Sequence, residues 1–407
     1  MNTCTRSRNA WALAACLGFA LLTVSRQTPA QGSPDIVWKT NAHSDQVTGV
    51  AFVAGSSMLA SSSLSDGFNG FVHVWSVADT ALLKTFTLSH EDVLCLTASP
   101  DGNYLAAGGG GGSEDVGKYR IWRVSDWFLL KTGGAAHNDW VRTVAISADS
   151  VYCTRGTDSG NWLPLGRVDA GLAFGSTDEP PHDGPINAVS FAPNASTLVS
   201  AGEDGIVKLW DYTNGLCDDT LLRTFSEHSG PVIAVAYLPN GEELISAGAN
   251  GQVIIRRLSD GVRTRTIQAA ASVGSMAVSP DGKTFFTAGD TLKFWRISDG
   301  ALLRSFDEEV QSIGAVTVAS TGKHFAYGRA DGTVVLASMP LWIESTRRTA
   351  NQLIMKWQGG SGRYQLQSCT NLTTGAWQNA GAPTVNTSAT NTVTSPVFYR
   401  VQSLPNL

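Results

Sequence analysis

The sequence predicts an all-β protein: a seven-bladed β-propeller followed by a small β-sandwich-like domain. Three observations carry this. First, histidines recur at a near-constant interval: His43, His90, His137, His182 and His228 stand 47, 47, 45 and 46 residues apart. Second, the intervals hold short apolar runs rich in β-branched and aromatic residues and bounded by turn signals, which favours strands over helices. Third, one first-strand pattern returns seven times: VTGVAF (47–52), VLCLTA (93–98), VRTVAI (141–146), INAVSF (186–191), VIAVAY (232–237), VGSMAV (273–278) and IGAVTV (313–318). A period of about 44 residues with three or four strands per unit describes blades repeated around an axis.

The stretch 184–211 shows the unit most clearly. Ile186, Val189 and Phe191 form one apolar run, Leu198 and Val199 a second, and Ile206, Val207, Leu209 and Trp210 a third. Asn194-Ala195 and Asp204-Gly205 are hairpin-turn sequences, because Asn, Asp and Gly tolerate positive φ.

From its start, the chain opens on a predicted secretory signal peptide, 1–30. Arg6 and Arg8 make a positive end, 10–24 is apolar, and Thr28-Pro29-Ala30 places a small residue before Gln31. The apolar stretch is short for a membrane span, and no second span is expected in the mature chain. Leu13-Ala14-Ala15-Cys16 has the form of a lipoprotein box, but the apolar run continues past Cys16, which disfavours an anchor there. The expected location is outside the cytoplasm: periplasm, cell surface or medium. Cys4 and Cys16 leave with the signal. Cys95, Cys153, Cys217 and Cys369 show no CxxC spacing and name no disulfide pair. Cys95, inside an apolar run, reads as a small buried hydrophobe. A net charge of −5 and 15% charged residues, without a Lys/Arg cluster, argue against nucleic acid and against an electrostatic membrane anchor.

The units begin near 43, 90, 137, 182, 228, 269 and 309, the last two intervals shortened to 41 and 40 residues. Over 35–340 the sequence resembles the WD-repeat family. The signs are the His at the unit start, the Ser-Pro-Asp-Gly turns at 99–102 and 279–282, and the strand-ending Trp75, Trp122, Trp210 and Trp295, of which only Trp210 precedes an Asp. The resemblance implies a hydrogen-bonded set in a complete unit: His182, Ser200, Asp204 and Trp210. The carboxylate accepts from the imidazole, which reaches the Ser hydroxyl, which reaches the indole N–H; a buried polar group needs such partners. Unit five keeps His228 and Ser246 but has Asn250 for Asp and Arg256 for Trp. Units six and seven lack the His. Unit three departs most: 154–174 shows no clean third strand, and Pro164 argues against a central strand there. The last unit ends near 334–337 without a clear fourth strand. Residues 36–39 resemble the outer runs 82–86, 129–132, 222–225 and 302–306, and are expected to complete that blade and remove an exposed sheet edge.

After Met339-Pro340 the pattern changes. The segment 347–407 holds strand-like runs at 353–357, 364–367 and 398–402, and Gly359-Gly360-Ser361-Gly362 reads as a hairpin loop. It resembles small all-β modules, broadly fibronectin-III-like, at the ends of secreted bacterial proteins. Such modules attach, space or present another domain. Trp357, Trp377 and Tyr399 suit core packing first and a sugar platform second, so polysaccharide is a further partner to consider.

An enzyme needs a nucleophile, base or metal set at converging positions. No HExxH, G-x-S-x-G, Walker loop or Cys/His metal spacing is present. With five of the seven histidines assigned to the repeat, His73 and His324 read as solvated edge residues. The glycine run 108–112 lacks the Lys-Ser/Thr and helix of a phosphate cradle and reads as a flexible turn. No catalytic residue, metal or cofactor is expected.

The candidate site is therefore a face. The turns between second and third strands look long in units one and two (63–70 and 108–117) beside 202–205 in unit four. In a propeller these turns and the unit-start loops share one face. That brings Asp66, Phe68, Asn69, Glu114 and Asp115 towards Asn138, Asp139 and Trp140. Acidic groups beside aromatics suit a basic peptide, a cation or a sugar; the plainer alternative is a solvated loop. The sequence thus points to a non-catalytic scaffold for a protein partner. The alternatives are a carbohydrate- or envelope-binding protein and an enzyme using carboxylates such as Asp66 or Asp115 at the channel mouth.

Overall fold

The computed structural model describes residues 30–31, 34–111, 116–137, 139–159, 163–169, 181–194, 196–212, 221–307, 312–349, 352–360, 363–369, 378–380, 382–392 and 398–404. Among them regular structure is strand, apart from one 3-10 turn, Ala54–Ser56.

Seven sheets follow one another between Ile36 and Ser338. Their inner strands are Val47–Val53, Glu91–Ala98, Val141–Ile146, Ile186–Phe191, Val232–Tyr237, Ser275–Val278 and Ile313–Val318. Each inner strand packs on the next, and the seventh packs on the first, which closes a ring of blades. A second strand lies between neighbours in its sheet and under adjacent blades. Thr197–Gly202 is accordingly buried from Leu198 to Gly202, with no alternation. An outer strand has one open edge; Leu82–Ser89 is exposed over its first four residues.

The N-terminal strand completes the seventh blade. Ile36–Asn41 pairs antiparallel with Thr333–Ser338, from Ile36↔Ala337 to Asn41↔Thr333, with a bulge between Ile36 and Trp38. Ahead of it, Ala30–Gln31 adds to the outer strand of blade 6 in parallel, giving that sheet five strands. Two residues carry no sequence pattern, and this extra strand was not foreseeable. Blade 3 has three described strands, the last being Leu165–Arg167. Pro164 stands just before it rather than within it, so the missing N–H interrupts no ladder.

The glycine run is corrected by the fold. Gly108, Gly109, Gly110 and Gly111 end the second strand of blade 2, Tyr104–Gly111, paired on both sides for part of its length. Gly111 has a φ of 115°, which favours glycine; the other three are glycines because there is no room. A Cβ at Gly108 would overlap Val141, at Gly109 the Asp92 carbonyl, and at Gly110 the Trp140 ring. Residues 112–115 lie outside what is described, and Val116–Arg123 is already the third strand.

The C-terminal segment forms two three-stranded sheets: Trp342–Thr349, Gln352–Gln358 and Ser388–Thr392 in one, and Arg363–Cys369, Gln378–Asn379 and Phe398–Leu404 in the other. The glycine-rich 359–362 is therefore a crossover between sheets and not a hairpin loop. Leu341, Met355, Trp357, Tyr364, Leu366 and Val401 form the core between them. Trp357 is fully buried, with its ring 5.7 Å from that of Tyr364, so it serves packing and no sugar platform. Trp377 and the Tyr399 side chain lie outside what is described. Trp342 at the junction packs into the core shared by blades 6 and 7, and Lys283 of blade 6 pairs with Glu344.

Candidate functional site

Blade 4 joins the four residues expected of a complete unit. His182 Nδ1 lies 2.9 and 3.1 Å from the two Asp204 oxygens, His182 Nε2 lies 2.7 Å from Ser200 Oγ, and Trp210 Nε1–H donates to Ser200 Oγ at 2.9 Å. The donor count fixes the roles. The Nδ1–H donates to the carboxylate, the Ser200 hydroxyl donates to Nε2, and the serine oxygen accepts from the indole. Burial lowers the His182 pKa, and Asp204 only partly opposes this, so the imidazole is neutral at pH 7. Asp204 also accepts the backbone N–H groups of Ile206 and Asp183, which fixes the loops on either side.

Other blades vary the same four places. In blade 1, His43 and Trp75 meet Ser61 at 2.8 and 3.0 Å, but His43 Nδ1 has no hydrogen-bond partner. The longer turn carries Asp66 away, and His73 packs beside His43 instead, with ring centroids 4.6 Å apart and its other face stacked on Trp75. Burial, then His73, lowers the His43 pKa to about 3. His73 is thus half-buried and not a solvated edge residue; His324 is half-buried too. In blade 5, His228 reaches Ser246 at 2.8 Å. Arg256 stands in the tryptophan's place, 4.3 Å from the Phe225 ring and paired with Glu227, and a cavity of ≈ 10 Å³ remains beside it. In blade 2, Ala107 pairs with Arg120 where blade 4 pairs Ser200 with Lys208, and His90 is exposed with a φ of 60°. The buried Glu91 instead takes both Arg120 nitrogens and Lys118. Burial would raise the Glu91 pKa; the two cations outweigh it and hold it below its usual value. Sequence reasoning missed this network. A Glu following the unit-start His, opposite an Arg in the lysine's strand position, was its only signal.

The candidate face is built from the loops that carry Asp66, Phe68 and Asn69 in blade 1 and Asp139 and Trp140 in blade 3. Asp66 Oδ1 accepts the N–H groups of Asn69 and Phe68 at 2.9 and 3.0 Å, and these bonds lower its pKa. The carboxylate is thereby committed to shaping the loop, and the loop holds Phe68 out at 69% exposure. Asn69 opens the third strand and bonds Asp66 in return. Asp139 is corrected: it is 3% exposed, and its Oδ1 anchors the Ser159 N–H, so it is a support and not a contact residue. Trp140 lies half-buried over Gly110. Glu114, Asp115 and Asn138 lie outside the described residues.

The same end of the molecule carries further acids. Asp45 and Asp183 on unit-start loops, and Glu203, Asp290 and Asp331 on second-to-third-strand turns, are exposed. Arg142, the one charged residue lining the central channel of ≈ 440 Å³ among those described, is paired with Asp158. Among the described residues no three of His, Cys, Asp and Glu converge to hold a metal ion, and no helix is long and apolar enough to cross a membrane.

Comparison with known proteins agrees with this arrangement. Residues 35–76, 81–114, 177–211 and 219–256 match the family described as "WD domain, G-beta repeat". These are units one, two, four and five; blade 3, with Arg155 at the place Ser200 holds in blade 4, and blades 6 and 7, without the His, fall outside the match. Telomerase protein component 1 of Rattus norvegicus is 27% identical over 182 residues, 43% of this chain and 6% of its own length. Target of rapamycin complex subunit wat1 of Schizosaccharomyces pombe is 23% identical over 165 residues, 39% of this chain and 48% of its own. The aligned region thus spans less than half of either relative. A chain of the solved structure described as "Crystal Structure of Mitotic Checkpoint Complex" superposes with a TM-score of 0.63 at 19% identity, covering 79% of this chain and 99% of that one. The chain carries WD40 repeats in four of its seven units, on a β-propeller fold.

Proposed function

We propose that this chain is an exported, non-catalytic scaffold that binds a protein partner through the face bearing the unit-start loops. The observation that carries the reading is Phe68: a large apolar side chain held in solvent by a loop that Asp66 and Asn69 make rigid. Such a residue lacks a role in its own core, and exposed aromatics on ordered loops serve recognition. The surrounding carboxylates favour a partner segment that is basic, with binding that weakens as salt rises. The names of the two relatives, each a component or subunit of a larger assembly, support a role in assembly.

The test is affinity capture with the mature chain as bait, beside Phe68→Ala and Asp183→Lys variants. A partner retained by the native chain and lost from both variants is the expected result. Equal retention by all three baits would remove the face from consideration. Export is checked separately: the mass of the secreted protein should correspond to a chain beginning at Gln31.

A further inference from the structure

The histidine that opens blade 2 has left the core. In blades 1, 4 and 5 the same residue lies inside: His43, His182 and His228 are 8%, 1% and 9% exposed, and each meets a serine, at 2.8, 2.7 and 2.8 Å. His90 holds that place in the repeat but is exposed, and its φ of 60° lies in the left-handed region that favours glycine. The serine has gone as well. Ala107 pairs with Leu96 where Ser61, Ser200 and Ser246 pair with Val50, Val189 and Val235. Glu91, next in the chain, goes inward instead and is held there by Arg120 and Lys118. His90 is thus kept in an unfavoured conformation by its neighbours while its side chain faces solvent, and such a residue points to function.

The backbone of His90 is bonded to the blade 1 loop. Its N–H donates to the Phe68 carbonyl at 2.5 Å, and the Phe68 N–H donates to Asp66 Oδ1 at 3.0 Å. Asp92 Oδ1 accepts the Ser65 N–H at 2.6 Å and ties the other end of the loop to blade 2. Three exposed side chains, those of Asp66, Phe68 and His90, therefore leave one hydrogen-bonded run of backbone at the seam of blades 1 and 2. We infer that His90 is a recognition residue, and that with Phe68 and Asp66 it receives an arginine side chain of the protein partner. The inference rests on the face proposed above and extends it to blade 2. A guanidinium suits all three groups. Its plane stacks on the Phe68 ring, whose face attracts a cation. Its N–H groups donate to the acceptor nitrogen that a neutral imidazole offers. Asp66, held below the usual carboxylate range by the N–H groups of Asn69 and Phe68, supplies the opposite charge. The ammonium of lysine is a hydrated point charge and does not stack in this way.

The probe is diethyl pyrocarbonate, which acylates accessible imidazole nitrogens. Labelling of His90 is read by peptide mass spectrometry on the full mature chain, alone and in an extract of the cells that export it. The expected result is about tenfold less labelling of His90 in the extract, and no such protection in the Phe68→Ala variant. Protection should vanish once the arginines of the extract are blocked with phenylglyoxal and persist once its lysines are acetylated. His90→Gly should retain about a tenth of the captured partner yet melt no lower than the native chain, because glycine adopts this backbone freely; a histidine that only held the fold would give the reverse, and that result would overturn the inference. Equal labelling of His90 with and without extract, while Phe68→Ala still loses the partner, would also overturn it and leave the face around Phe68 standing. A partner retained by both variants would remove the face and the inference together. Protection abolished by lysine acetylation would overturn the arginine.

Discussion

Asp204 is the residue on which a complete blade turns. It takes the proton of His182 Nδ1 and two backbone N–H groups, so Asp204→Ala leaves three donors to find water in a partly closed site. A hydrogen bond to a charged group contributes roughly 1.5–3 kcal/mol, and the variant is expected to lose about that much, read as a melting temperature lower by several degrees; an unchanged melting curve would show that the carboxylate is idle. The buried histidines make a second prediction. His43 and His228 have pKa values lowered to about 3 and about 4, by burial first in both cases. Unfolded, they take up a proton near 6.5. Below that pH the unfolded chain binds more protons than the folded one, so the stability present above pH 6.5 is lost as pH falls towards these values. At pH 5 His43 alone costs on the order of 2 kcal/mol. His43→Asn should be less stable than the native chain at pH 7.5 and show a flatter decline between pH 7 and 5; parallel declines would refute the assignment. The His182 set was readable because four residue types recur at fixed offsets. His73 was not, because strand alternation says which face a residue takes and not what the neighbouring loop lays over it.

Between elements, blade 5 reads as blade 4 with two parts exchanged. Asn250 occupies the place of Asp204: its Oδ1 accepts the Gln252 N–H as Asp204 accepts that of Ile206, but its amide nitrogen is spent on Ser229. His228 Nδ1 is left without a partner. Asn250→Asp supplies an acceptor there, and Ser229 can donate to the new oxygen. The expected gain is about 1 kcal/mol at pH 7. It should be larger at pH 5, because a carboxylate raises the folded-state pKa of His228 and narrows its gap to the unfolded value. Urea midpoints at the two pH values decide this, and no gain at either would mean that the ring and the turn do not meet. The same scale shows where pattern reading stops. Apolar runs locate the inner strands, but the glycine run 108–112 has the composition of a turn while Gly108–Gly111 end a strand. Composition does not separate glycine needed for positive φ from glycine needed for space, and at Gly110 the space belongs to Trp140, thirty positions away in the next blade's loop.

At the scale of the whole molecule the ring depends on its first strand. The closure was legible because the seventh unit lacks an outer run and 36–39 looks like one; the C-terminal crossover was not, since a glycine-rich link has the same sequence whether the strands it joins pair or part. Thr333–Ser338 is buried from Thr333 to Ala337 beneath Ile36–Asn41. Removing residues 31–41 uncovers this edge, with Val334, Val335, Leu336 and Ala337 in it. An unpaired apolar edge recruits other chains, so the truncated protein is expected to associate on purification, and its unfolding should broaden, because blade 7 then opens ahead of the rest. Adding a peptide of residues 34–42 in trans should restore a sharper transition, since it returns the strand and not merely its bulk. A truncated chain that stays monomeric and unfolds as sharply as the native one would show that the blades hold one another without the clasp.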